Sequence, residues 1–141
     1  MADTKLLVTV GLPRSGKTTL CNQVYRPQGF VVVNPDSVRL AIHGYRFLAS
    51  AEPFVWATTY AMVDALRLAG HDVIVDGCHG SKKRREPWKQ RGAEFVLVDT
   101  PKEECIRRAH DTNDEEIIRV IERMASEYEP IEQGEQNATP R

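Results

Sequence analysis

Gly11-Leu12-Pro13-Arg14-Ser15-Gly16-Lys17-Thr18 fits the pattern G-x4-G-K-[ST] without a mismatch, between a short apolar run and a helical stretch. Those residue types suit the binding of phosphate. Glycines let the backbone wrap so that successive N–H groups point inward as a nest. The helix that follows adds partial positive charge at its N-terminus. In this arrangement Lys17 bridges the β- and γ-phosphates of a nucleoside triphosphate and the Thr18 hydroxyl is a magnesium ligand. Gly11, Pro13, Arg14, Ser15, Gly16, Lys17, Thr18 and Thr19 are therefore the expected nucleotide-binding set, with ATP and Mg2+ as cofactors. Arg14 has two readings, a solvated loop arginine or a reach toward phosphate.

Two carboxylates follow strand-like runs. Asp76 closes Val73-Ile74-Val75, where an acid can hold magnesium through its water shell. Asp36, in Asn34-Pro35-Asp36-Ser37-Val38-Arg39, can accept the proton of an attacking hydroxyl, and Arg39 one helical turn on faces the same way. The same place suits a helix N-cap, a role that Ser37 can also fill. On these residues alone cap and base stand level.

Lys82-Lys83-Arg84-Arg85, with Trp88 and Lys89-Gln90-Arg91, offers charge for nucleic-acid phosphates and one ring for stacking. The competing reading is a solvated amphipathic helix with Trp88 turned to the core. Of four histidines only His79, just past Asp76, lies near these groups, and a loop hydrogen-bonding role is the expectation for it. Cys21, Cys78 and Cys105 show no metal or disulfide spacing and are expected to be buried free thiols.

The elements that must position these groups alternate. Leu6–Val10, Phe30–Val33, Asp72–Asp76 and Phe95–Val98 read as strands. Helices are expected over Lys17–Tyr25, around Val38–Ile42, and over Pro53–Leu68, Ser81–Arg91, Lys102–Ala109 and Asp114–Tyr128. The strands are continuously apolar, which implies a parallel sheet of four or five strands covered on both faces: an α/β, three-layer architecture with its ligands at the carboxyl ends of the strands. Residues 1–129 are expected to form one domain and residues 130–141, which lack periodicity, a loose tail.

With 141 residues and a net charge of -1, the chain is one ordinary globular domain that grips any polyanion locally rather than by bulk charge. It shows no signal peptide and no apolar run of membrane-spanning length, so a cytoplasmic location is the default expectation.

The motifs in order resemble the 5′-hydroxyl kinase domain of phage-type polynucleotide kinases, within the small P-loop kinases that include adenylate kinases and zeta toxins. The resemblance is carried by Gly11–Thr19, Val33–Arg39, Val73–Gly77, Lys83-Arg84-Arg85 with Trp88, and Val96–Pro101 followed by Arg107-Arg108, covering most of residues 5–128. It implies that Asp36 is the general base, that Arg39 contacts the phosphates at the reacting centre, and that Arg107 or Arg108 belongs to a lid over the nucleotide. It assigns Asp36, Arg39, Asp76, Arg84 and Arg85 to the acceptor side, and Lys17, Asp36, Arg39 and Arg108 to catalysis. The stretch Ala109–Asp114 departs from the family's basic lid by being short and acidic. No phosphatase segment accompanies these motifs, so the kinase activity is expected alone. The implied reaction moves the γ-phosphate of ATP to a hydroxyl, foremost the 5′-hydroxyl of a polynucleotide. A nucleotide, a modified base or another small hydroxyl compound is the alternative acceptor. An ATP-dependent binding module or switch is the alternative of another class.

Overall fold

The computed structural model describes residues 3–132 and 135–138. Five strands, β1 (Leu6–Val10), β2 (Val31–Val33), β3 (Val73–Val75), β4 (Glu94–Leu97) and β5 (Gln136–Ala138), form one sheet in the order β2-β3-β1-β4-β5. Every pairing is parallel, with Leu6 opposite Val73 and Leu7 opposite Glu94. The expected three-layer α/β architecture is present. β1 and β3 lie inside the sheet and every residue in them is buried, the reason both read as unbroken apolar runs.

The twofold alternation of strand side chains divides the core. Leu6, Val8, Val10, Val73, Val75 and Phe95 pack with Val63 and Trp88 on one face, while Leu7, Ile74 and Val96 pack with Cys21, Tyr25 and Phe30 on the other. Six helices cover these faces: α1 (Lys17–Leu20), α2 (Pro35–His43), α3 (Glu52–Leu68), α4 (Lys82–Lys89), α5 (Lys102–Asp111) and α6 (Glu115–Glu127). The last two form a hairpin closed around Cys105, Ala109, Ile118 and Ile121.

Two sequence expectations are corrected. The helix expected over Lys17–Tyr25 is α-helical only to Leu20, continues as a π-helical turn over Cys21–Tyr25 and tightens to a 3-10 turn over Arg26–Gln28. Pro27 has no N–H to continue an α-helical ladder. Residues 130–141 do not act as a loose tail throughout: Gln136–Ala138 pairs with β4, and Glu135 is buried before it. Residues 133–134 and 139–141 of that stretch lie outside the described residues. A three-residue polar strand shows neither apolar run nor periodicity, so the sheet edge that recruits it is visible only in three dimensions. Among the described residues no helix is long and apolar enough to cross a membrane.

Candidate active site

β1 delivers the phosphate-binding loop to the middle of the sheet's carboxyl edge. Gly11 donates its N–H to the Cys78 carbonyl at 3.0 Å. A Cβ on Gly11 would sit 2.8 Å from the Val98 carbonyl oxygen, so only glycine fits there. Arg14 has φ 66 and Gly16 φ 104, left-handed conformations within three residues that turn backbone N–H groups to one side. Thr100 Oγ1 donates to the Ser15 carbonyl at 2.7 Å and pins the loop to the segment after β4.

Lys17 is buried, its ammonium donating to the Leu12 carbonyl at 2.6 Å. A cavity of about 890 Å³ opens over the loop, lined by Arg14, Ser15, Gly16, Lys17, Thr18, Thr19, Asp99 and Arg108 among others. Arg108 donates from Nη1 to the Arg14 carbonyl at 3.0 Å and from Nε to Glu104, so one arginine of the α5–α6 hairpin already lies against the loop. Its neighbour Arg107 turns away: it pairs with Glu104 and Asp111, and its side chain is 60% exposed outside that cavity. Pro13 stands in the loop without lining the cavity.

Arg14 is no merely solvated arginine. It donates to Asp114 Oδ2 at 2.9 Å, and Arg46, from the loop after α2, grips the same carboxylate with two nitrogens. The hydrogen bond from Arg46 foremost holds the Asp114 carboxyl well below the usual carboxylate range. Asp114 also caps α6 by accepting from the Ile117 N–H. The acidic stretch that departs from the family lid thus ties the hairpin to the phosphate-binding loop and to the α2–α3 loop.

On the β3 side, Thr18 Oγ1 donates to Asp76 Oδ2 at 2.7 Å, and Asn34 Nδ2 donates to the same oxygen at 3.2 Å. Burial foremost raises the pKa of Asp76; the Thr18 hydrogen bond and the Lys17 charge oppose it, and the Asp36 charge adds to it. Among the described residues no three His, Cys, Asp or Glu side chains cluster as a metal cage. One hydroxyl and one carboxylate, both hard oxygen donors, fit magnesium, which keeps several waters and takes its remaining ligands from phosphates.

A second cavity of about 450 Å³ lies beyond this pair, lined by Thr18, Asp76 and Asn34 at its inner end and by Ser37, Val38, Ala41, Thr58 and Met62 along α2 and α3. Thr18 therefore borders both cavities. Asn34, not Asp36, caps α2, its side chain accepting the Asp36 N–H at 2.8 Å. The Asp36 carboxylate is thereby released from capping; it is 78% exposed outside the second cavity and accepts from Arg39 Nη1 at 2.6 Å.

The basic stretch divides. Arg84 lies over the Trp56 ring, 4.2 Å from its centroid. Arg85 is corrected as an acceptor ligand: it is fully buried, paired with Glu135 at 2.8 Å, and donates to the His79 and Pro130 carbonyls. Trp88 is likewise core. Ser81 caps α4, and helical spacing sends residues 85 and 88 inward together. His79 is buried between Trp56 and Trp88 with Nδ1 donating to the Thr9 carbonyl, and burial foremost holds its pKa down to about 4. It is a neutral wall residue. Burial pushes the Cys21 thiol up to about 12 and raises Cys78 and Cys105 as well, which makes all three inert at neutral pH.

Sequence reasoning missed Asp114, Arg46 and Glu52, the partner of Arg39. Ion pairs between residues 13 to 100 positions apart carry no local signal. Sequence reasoning put the cap of α2 at Asp36 or Ser37, whereas Asn34 takes it, with Pro35 at the first helical position as the signal that could have shown it; its donation to Asp76 had no signal.

A family model described as an AAA domain matches residues 6–131. No curated protein matches the chain significantly. Among solved structures it is similar to a chain of the Pnkp1/Rnl/Hen1 complex, with 29% identity and a TM-score of 0.66 over 77% of this chain and 40% of that one. The chain thus spans less than half of that relative. A sugar kinase from Janibacter sp. HTCC2649 superposes with a TM-score of 0.74 at 18% identity, covering 96% of this chain and 84% of that one. The Mycobacterium tuberculosis APS kinase CysC, in complex with AMPPNP and APS, superposes with a TM-score of 0.70 at 20% identity, covering 99% and 90%. The fold is a kinase-like P-loop fold.

Proposed function

The chain belongs to the AAA domain family whose model spans residues 6–131, and on that premise we propose that it transfers the γ-phosphate of ATP to a hydroxyl, foremost the 5′-hydroxyl of a polynucleotide. The observation that carries this reading is the meeting of two cavities at one hydrogen-bonded pair. The 890 Å³ cavity over the phosphate-binding loop and the 450 Å³ cavity between α2 and α3 share Thr18, whose hydroxyl is bonded to Asp76. A donor and an acceptor brought to a common point suit group transfer, whereas a nucleotide switch needs only the first cavity. The likeness to a chain of the Pnkp1/Rnl/Hen1 complex supports a polynucleotide acceptor.

Asp36, freed from capping and held by Arg39, takes the proton of the attacking hydroxyl. Lys17 and Arg108 face the triphosphate, and two N–H groups of Arg39 not used by its carboxylate partners are available to the transferring group. Thr18, and Asp76 through water, would hold magnesium, which would supply positive charge where negative charge gathers. Positioning and charge compensation are nearly all that phosphoryl transfer requires. Arg84, over the same Trp56 ring as Arg39, would on this reading meet the next backbone phosphate of a polynucleotide.

A second acceptor reading, a single nucleotide or small sugar-like alcohol, is favoured by the volume of the second cavity, which lies in the range of small-ligand sites. Incubation with magnesium and γ-labelled ATP against 5′-hydroxyl DNA and RNA oligonucleotides, nucleosides and nucleoside monophosphates separates the two. Label at an oligonucleotide 5′ end is the expected result. In the same assay Asp36→Asn should retain ATP binding and lose about 10²- to 10⁴-fold in transfer to a hydroxyl. Undiminished transfer by the variant would remove Asp36 from the mechanism. An acceptor phosphate, which needs no base, would also leave the variant active.

A further inference from the structure

The guanidinium of Arg39 has five N–H donors in one rigid plane. Nε and Nη2 donate side-on to Glu52 Oε2 and Oε1, each at 2.9 Å, while Nη1 donates to Asp36 Oδ1 at 2.6 Å. The two pairs are unlike. The side chains of Arg39 and Glu52 are 15% and 17% exposed, whereas Asp36 is largely in solvent. Trp56, one helical turn after Glu52, presents its ring to the same guanidinium at 5.9 Å and to Arg84 at 4.2 Å.

An acid in the first turn of α3 is stabilised by the helix dipole alone and needs no partner or fixed direction for that. Glu52 has both. A two-point, half-buried fork fixes the plane of Arg39, whereas a single contact would let the guanidinium swing. The hydrogen bond and charge of Arg39 hold the Glu52 carboxyl below its ordinary range, so the fork is closed at neutral pH.

We infer that Glu52 is a positioning residue for the transfer reaction: its fork with Arg39 aims the remaining N–H groups of that arginine at the transferring phosphoryl and presents Nη1 to Asp36. This rests on the reading of Asp36 and Arg39 given above. Glu52 touches no reacting atom in this arrangement and acts through Arg39. It also ties the start of α3 to α2.

The test joins kinetics to a direct view of the arginine. Glu52→Gln keeps the side-chain volume and one acceptor oxygen but removes the charge and the second acceptor. It should lower kcat by about 10- to 100-fold with KM for ATP unchanged, the scale expected when a reacting group is misplaced by about an ångström. Glu52→Asp should recover part of the loss. Added to Arg39→Ala, Glu52→Gln should cost little more, because the two act as one unit. In ¹⁵N-detected proton spectra the Arg39 Nε–H signal, slow to exchange in the parent protein, should broaden into solvent exchange in Glu52→Gln. Unchanged kcat in Glu52→Gln, or losses that add fully with Arg39→Ala, would overturn the inference. If the parent protein labels no acceptor, the kinase reading fails separately. The spectra then decide for Glu52: an Arg39 Nε–H that stays protected in Glu52→Gln overturns its positioning role, and loss of protection upholds it.

Discussion

The half proposed to hold the phosphate donor and the half proposed to hold the acceptor are built in opposite ways. Around the phosphate-binding loop the contacts are close and hydrogen-bonded, and most reach from distant parts of the chain: Ser15 and Lys17 are buried, Gly11 has no room for a Cβ, and Thr100 pins the loop. Across the sheet, α2, the loop behind it and α3 leave Leu40, Tyr45, Phe47 and Phe54 exposed, and ion pairs at Arg39 and Arg46 add to the few side chains they bury. The difference follows from the task each half is proposed to perform. A triphosphate is the same ligand in every such protein and rewards a preorganised cradle, whereas an acceptor varies and calls for a surface that can be remodelled without disturbing the cradle.

The sharpest break in that comparison is Lys17→Met, which removes the one ammonium inside the cradle. It should lower kcat by about 10²- to 10³-fold or more while leaving acceptor KM unchanged, read by steady-state transfer of labelled phosphate. A matching loss of acceptor affinity would show that the halves are not separate. Arg85→Met tests the foundation beneath both. It strands Glu135 as a buried, unpaired carboxylate and should cost about 3–5 kcal/mol in urea unfolding, with both KM values unmoved in the folded protein. The double change Arg85→Met with Glu135→Met should recover most of that loss.

His79 supplies a pH-dependent contrast. Its folded pKa of about 4 lies below the ordinary value of 6.5, so the unfolded chain binds a proton where the folded chain does not. Stability therefore falls as pH drops from 6.5 toward 4, by about 3 kcal/mol at one pKa unit per 1.36 kcal/mol. His79→Asn, which tolerates the positive φ of that position, should flatten this limb in unfolding midpoints compared at pH 7.5 and 4.5. The smallest effect belongs to the second cavity. Met62→Gln, at a side chain 40% exposed that lines it, should change stability by no more than about 0.5 kcal/mol and raise acceptor KM several-fold without changing KM for ATP.

The unevenness of the two halves also explains how much could be read beforehand. The first four strands and the phosphate-binding loop were legible because their signals are local: apolar runs, glycine spacing and a lysine with a hydroxyl neighbour. Arg84 and Arg85 looked alike in the chain. Which of them enters the core depends on the helix phase set by the Ser81 cap and on Glu135, 50 residues away. On its own residues, apart from the resemblance, Asp36 stood level between cap and base, and it is the side chain of Asn34 that takes the cap.

The sequence by itself determined the α/β class, the strand-loop-helix that receives phosphate, and the carboxylates at the strand ends, because each is a consequence of residues near one another in the chain. Tertiary structure alone decided that Gln136–Ala138 completes the sheet, that Arg108 and not Arg107 faces the nucleotide cavity, and that Asp114 joins the hairpin to Arg14 and Arg46. It alone decided that Glu52 forks Arg39. Each of these is a meeting of groups whose separation along the chain carries no periodicity. Their partners are chosen by which faces the packed sheet and helices bring within reach.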